Sequence, residues 1–95
     1  MDFFLKNLRE TLEAINKLID KNVNIVNCKR VRRCQSIKSS NRSKINFIWR
    51  SLNFLEQEGI LEINGIVKPK TYKIANNQKI DVEEFISQVN KKRTD

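Results

Sequence analysis

The sequence predicts a mainly α chain with a small β-hairpin, an α+β fold whose elements run α-β-α-α-β-β-α. Three observations predict it. Apolar residues recur at spacings of three and four over two long stretches, 4–19 and 45–55, which is the period of an amphipathic helix. Two short runs rich in β-branched and aromatic residues, 60–63 and 70–75, flank a connection holding the turn-forming pair Asn64-Gly65. The 95 residues are 39% hydrophobic with only two Gly and one Pro, which suits a single domain over 1–95 with a thin core and few linkers.

Each element has its own justification. In the first helix, 1–21, Asp2 is placed to cap the N-terminus, and Phe4, Leu5, Leu8, Leu12, Ile15, Leu18 and Ile19 form one stripe. Lys6, Arg9, Glu10, Glu13 and Lys17 fall on the other face, giving roughly five amphipathic turns that end near 20–22. Val23, Asn24, Ile25 and Val26 alternate and read as a short strand or an extended connector. In 27–35, Val31 and Cys34 lie three apart among Arg and Lys, fitting a short helix with one buried edge that Ile37 closes.

The polar turn 38–43 is rich in capping residues and leads into a long helix, 43–58, which Gly59 ends where a left-handed cap is wanted. Ile45, Ile48, Trp49, Leu52 and Leu55 form its core stripe. Phe47 and Phe54, seven apart, are expected on its opposite side, and a helix apolar on two sides is central or lies at a contact surface. The strands 60–63 and 70–75 are joined by 64–69, where Pro69 is unsuited to a central strand. A tighter hairpin around Asn64-Gly65 is the alternative, and it would leave Pro69 inside a strand. Asp81 caps the last helix, 81–93, with Glu84 as capping-box partner. Val82, Phe85, Ile86 and Val89 are its apolar face, and Lys91, Lys92 and Arg93 suit its C-terminal dipole.

Charge is the strongest functional signal. The chain has 19 Lys+Arg against 11 Asp+Glu, a formal net charge of +8. Between Asp20 and Glu56 there is no acid, while Lys21, Lys29, Arg30, Arg32, Arg33, Lys38, Arg42, Lys44 and Arg50 all fall there. The regions on either side are close to neutral. A one-sign field attracts a polyanion, whereas ordinary solvated faces mix both signs. A membrane surface fits less well, because the basic stretch shows no continuous amphipathic helix.

Other chemistry is poorly provided for. There is no His, and Cys28 and Cys34 at a C-x5-C spacing do not make a zinc site, so no metal or cofactor is expected. The two cysteines read as small buried hydrophobes, with a redox-sensing pair as the other reading. Glycine-rich phosphate loops and nucleophile motifs are missing, and Glu56 and Glu58, two apart, do not face one another on a helix. The expectation is a binding protein and not an enzyme. No apolar run approaches the length of a membrane span, and the start lacks the pattern of a secretory signal, so the expected location is cytoplasmic.

One stretch resembles a known family. Arg50 to Leu61, reading RSLNFLEQEGIL, is similar to the end of the recognition helix and the start of the wing in winged helix-turn-helix regulators of the MarR and ArsR kind. Lys70-Thr71-Tyr72-Lys73-Ile74 resembles their returning wing strand, an aromatic between basic residues. In element order the resemblance covers 1–75, with a helix-turn-helix over 28–58 and a wing over 60–75. The stretch 29–37 departs from the pattern by lacking a small residue in the turn between the two helices.

The resemblance implies a sequence-specific double-stranded DNA-binding protein that regulates transcription. Its helix 43–58 would enter the major groove and its wing 64–70 would lie on the backbone. A homodimer through the first and last helices would be its working form. Ser43, Lys44, Asn46, Phe47 and Arg50 are expected to face outward if Ile45, Trp49, Leu52 and Leu55 face the core. Asn46 and Arg50 suit adenine and guanine edges, and Phe47 suits a thymine methyl, the wing or a protein interface. Lys38, Ser39, Ser40, Asn41 and Arg42 suit phosphates at the start of that helix, and Lys68 and Lys70 are wing contacts. Two other readings stay open on the sequence: an RNA-binding or ribosome-associated winged helix, and a protein-interaction subunit of a larger assembly, favoured by Phe47 and Phe54.

Overall fold

A computed structural model describes residues 3–65, 70–75 and 78–94. The capping position Asp2 and the connection residues Lys68 and Pro69 lie outside the described residues. In α1 (Phe3–Asp20), Leu8, Leu12, Ile15 and Leu18 are buried, as their spacing requires. The helix closes where Asn22 takes a left-handed φ of 60° and the Val23 N–H returns to the Leu18 carbonyl at 2.9 Å. β1 (Ile25–Val26) leads directly into α2 (Cys28–Cys34), which Asn27 caps by accepting the Arg30 N–H at 2.8 Å.

In the same way Asn41 caps α3 (Arg42–Gln57), its side chain accepting the Lys44 N–H at 3.2 Å. Gly59, at φ 80°, ends α3, and the Ile60 N–H bonds the Leu55 carbonyl at 2.9 Å, the left-handed exit that glycine allows at no steric cost. β2 (Leu61–Ile63), β3 (Tyr72–Ile74) and α4 (Val82–Thr94) complete the chain. Asp81 accepts the Glu84 N–H at 3.2 Å at the start of α4.

The described residues therefore form a mainly helical α+β fold with a small antiparallel sheet. The sheet has three strands, in the order β1-β3-β2. Residues 23–26 supply an edge strand whose partner is β3: Ile25 pairs with Lys73 and Val26 with Tyr72. On the other side Leu61, Glu62 and Ile63 pair with Ile74, Lys73 and Tyr72. Alternation sends Val26, Tyr72 and Ile74 into the core and leaves Lys73 and Glu62 in solvent. The Asn64 N–H still bonds the Thr71 carbonyl at 3.0 Å, so Asn64 pairs with Thr71 and does not form a two-residue turn with Gly65.

The core lies between α1, α3 and the inner face of the sheet, with Leu8, Leu12, Ile15, Val26, Val31, Leu52, Leu55, Leu61 and Tyr72 closed to solvent. Phe54 departs from the sequence expectation. Its ring meets Phe4 of α1 edge-on at 5.5 Å and Phe85 of α4 at 6.4 Å, so it joins three helices instead of facing outward. Sequence periodicity marks Phe54 as off the main stripe, but α1 and α4 cover that second side.

Asn16 fastens the segment before α4 onto α1. Its amide donates to the Ile80 carbonyl at 2.9 Å and accepts the Ile80 N–H at 2.8 Å. Surface ion pairs, Arg9 with Glu83, Lys79 with Asp20 and Lys92 with Glu58, add little beside this. By contrast the Thr11 and Ser51 hydroxyls are buried without a partner among the described residues. Denaturant melts separate the two situations. Asn16→Ala leaves two half-buried backbone groups unpaired and is expected to lower stability by about 2 kcal/mol. Ser51→Ala removes an unsatisfied buried group and is expected to hold or raise stability.

Candidate nucleic-acid interface

The exposed arc of α3 follows from its helical period. Ile48, Ser51, Leu52 and Leu55 are buried, and Ile45 and Trp49 are half-buried beside them. The opposite arc carries Arg42, Ser43, Asn46, Arg50, Asn53 and Gln57, all exposed. This arc is polar from end to end and holds no acid. Ser43, Asn46 and Arg50 thus face outward, as the sequence indicates. Asn53 and Gln57 are on the same row and were missed. The signal for them was available, because 46, 50, 53 and 57 repeat the three-and-four spacing on the side away from Ile48, Leu52 and Leu55.

Lys44 and Phe47 depart from the outward set. The Lys44 ammonium donates to Asn7 Oδ1 at 3.1 Å and to Glu10 at 3.2 Å, both on α1, and its side chain is half-buried. Lys44 and Phe54 lie on the flank of α3 that meets α1, and Phe47 stands between them on that flank. It is half-buried, with the Arg50 guanidinium 5.8 Å from its ring centroid. The sequence places Lys44 and Phe47 outward; an acid and an amide on α1 draw Lys44 in against that helix instead.

The turn before α3 stays open to solvent: Lys38, Ser39, Ser40, Asn41 and Arg42 are all exposed. Backbone bonds from Asn41 N–H to Lys38 and from Arg42 N–H to Ser40, each 3.0 Å, shape it. The Asn41 side chain is already engaged as the cap of α3. Two other cations of the acid-free stretch hold backbone: Arg30 donates to the Ile25 carbonyl at 2.8 Å and Arg32 to the Ile37 carbonyl at 3.2 Å. Some cations of the basic segment thus hold neighbouring elements, Arg30 while itself exposed, and others face water, among them Lys29, Arg33, Lys38, Arg42 and Arg50.

The hairpin adds to the outward group. Lys70 is exposed, its ammonium 5.9 Å from the Tyr72 ring centroid. Together with Trp49, Arg50, Asn53 and Tyr72 it lines a crevice of about 290 Å³ between α3 and β3. The structure thus brings Arg50, Asn53 and Lys70 to one place. Lys68 lies outside the described residues. Burial and the charge of Glu56 push the Tyr72 phenol above its ordinary range, so it stays neutral near pH 7.

The described residues contain no cluster of His, Cys, Asp and Glu that could hold a metal ion, and no helix among them is long and apolar enough to cross a membrane. No family model, curated protein or solved structure matches the chain.

Cys28 and Cys34 sit at the two ends of α2, where six residues of helical rise separate them by about 9 Å, beyond the ~7 Å limit for a disulfide. Burial pushes the Cys28 thiol above its usual range, with Arg32 opposing in part, so its thiolate forms only at higher pH than in an ordinary cysteine. Alkylation followed by mass spectrometry at pH 7 is expected to label half-buried Cys34 well before buried Cys28, and mild oxidant is expected to form no internal disulfide. Equal labelling, or rapid loss of both thiols to a bridge, would show α2 opening in solution.

Proposed function

We propose that the chain is a winged helix-turn-helix domain that binds double-stranded DNA as a transcriptional regulator. In this reading α3 lies in the major groove and the hairpin 64–70 rests on the flanking backbone. The observation that carries it is the acid-free outward arc of α3, Arg42, Ser43, Asn46, Arg50, Asn53 and Gln57, standing beside Lys70 of the hairpin. An α-helix fits the major groove, and Arg, Asn and Gln are the side chains that bond base edges in pairs. Lys38, Arg42, the serines of the turn and Lys70 suit phosphates on either side. The element order supports the same reading, as does the pairing of β1 with the returning strand of the hairpin.

Duplex DNA is preferred to single-stranded RNA because the sheet shows no aromatic to solvent among the described residues. Tyr72 is buried on the inner face of the sheet and Phe54 is enclosed by Phe4 and Phe85, so the outer face of the sheet offers no stacking platform among the described residues. The protein-docking reading loses Phe54 for the same reason. Pairing of two copies is part of the proposal, with a narrower surface than the sequence suggests. α1 and α4 pack on one another, leaving between them a groove floored by Leu5 and Ile86.

Titration onto duplex DNA at rising salt tests the reading. Release of counterions from ~6 phosphates predicts a log–log slope near −5. Arg42→Ala with Arg50→Ala is expected to weaken binding at least tenfold, while Lys44→Met, which cuts the tie to α1, is expected to lower thermal stability and to affect binding less. A slope near zero, or Lys44→Met matching the double variant at unchanged stability, would contradict the assignment.

A further inference from the structure

We infer that Asn46, Arg50 and Asn53 act together as the specificity-determining residues of α3, reading a short site in which a guanine has an adenine on either side. This rests on the duplex-DNA reading above and adds to it which bases are read and by which side chains. All three residues are exposed on one row of α3. Arginine bonds guanine O6 and N7 in pairs, and asparagine does the same with adenine N6 and N7. Glutamate and aspartate, which would accept from cytosine, are absent from the outward arc.

The side chains are free for this work. Asn7, Asn16, Asn27, Asn41 and Asn64 each hold a hydrogen bond inside the fold. Asn46 and Asn53, like Asn22, Asn24 and Asn90 elsewhere on the surface, have no such side-chain bond among the described residues, so both amides keep two donors and an acceptor for a base edge. The Arg50 guanidinium lies 5.8 Å from the Phe47 ring centroid, a contact that leaves its hydrogen-bond donors unspent.

Spacing sets the length of the site. From Asn46 to Asn53 the helix rises about 10.5 Å, against ~3.4 Å per base pair, so the row spans about three base-pair steps with Arg50 between its ends. The row is bounded at both ends. Arg42 and Ser43 in the first turn suit phosphates, and Lys70 stands with Asn53 and Arg50 around the same crevice. A backbone phosphate taken by Lys70 there would fix the register of the helix in the groove. Gln57 lies one turn beyond that boundary and is excluded from the reading set.

Selection of binding sites from random-sequence duplexes, followed by affinity measurement on the selected site, tests the inference. The expected site holds guanine with adenines within about two base pairs on each side. Arg50→Ala is expected to release the guanine preference alone, and Asn46→Ala or Asn53→Ala one adenine each. Each change should cost roughly 5- to 150-fold on the selected duplex and far less on a mismatched one. All three positions are exposed, and a thermal melt of each variant checks that folding is intact. Salt-sensitive binding with no guanine–adenine pattern would overturn the inference and leave duplex binding standing. The same holds for an Asn53→Ala loss that is equal on every sequence, the mark of a phosphate contact. Absence of any duplex binding would overturn both.

Discussion

The orientation of α3 about its own axis is the constraint on which the rest depends. Its buried row, Ile48, Leu52 and Leu55, would tolerate some rotation, since apolar packing is not directional. Two directional contacts with α1 remove that freedom. Lys44 reaches Asn7 and Glu10 near one end of α3, and Phe54 sets its ring edge-on to Phe4 near the other. With both ends held, one arc of α3 is committed to solvent, and that arc is uniformly polar and without acid. Small rotations of α3 would bring Phe47 or Trp49 into the exposed arc and break its character.

The charge of the acid-free segment serves two ends. Arg30, Arg32 and Lys44 bind carbonyls or a carboxylate of neighbouring elements and so fasten β1, the exit of α2 and the start of α3. The remaining cations stand in water near the turn before α3, on α2 and at the hairpin. Of Arg30, Arg32 and Lys44, only Lys44 is offset by a carboxylate, while Arg30 and Arg32 keep their full charge and still add to the field that a polyanion would meet. Electrostatic attraction of this kind supplies affinity and salt dependence, and the neutral amides of the α3 row would supply discrimination.

Much of this was legible in the sequence. The order of elements, the helix ends at Asn22 and Gly59, the cap at Asp81 and the burial of Leu8, Leu52 and Leu55 follow from period and capping chemistry, which act over a few residues. The partner of β1 was not, because strand pairing between 25–26 and 72–73 joins distant segments and leaves no local mark. Nor was the facing of Lys44 and Phe54, which depends on what α1 and α4 present to them. Asn16 gave no signal either: a polar residue on the edge of an apolar stripe reads as solvated until the Ile80 backbone is laid across it. Asn53 and Gln57 continue the 46–50 spacing and carry no charge, so period alone marks them.

Amide chemical-shift mapping during titration with a short duplex tests the central claim most directly. The account predicts shifts concentrated at Arg42, Ser43, Asn46, Arg50, Asn53 and Lys70, with the α1–α4 groove around Leu5 and Ile86 undisturbed at one-to-one stoichiometry. Shifts centred on that groove, or spread over the cations of α2 without α3, would contradict it.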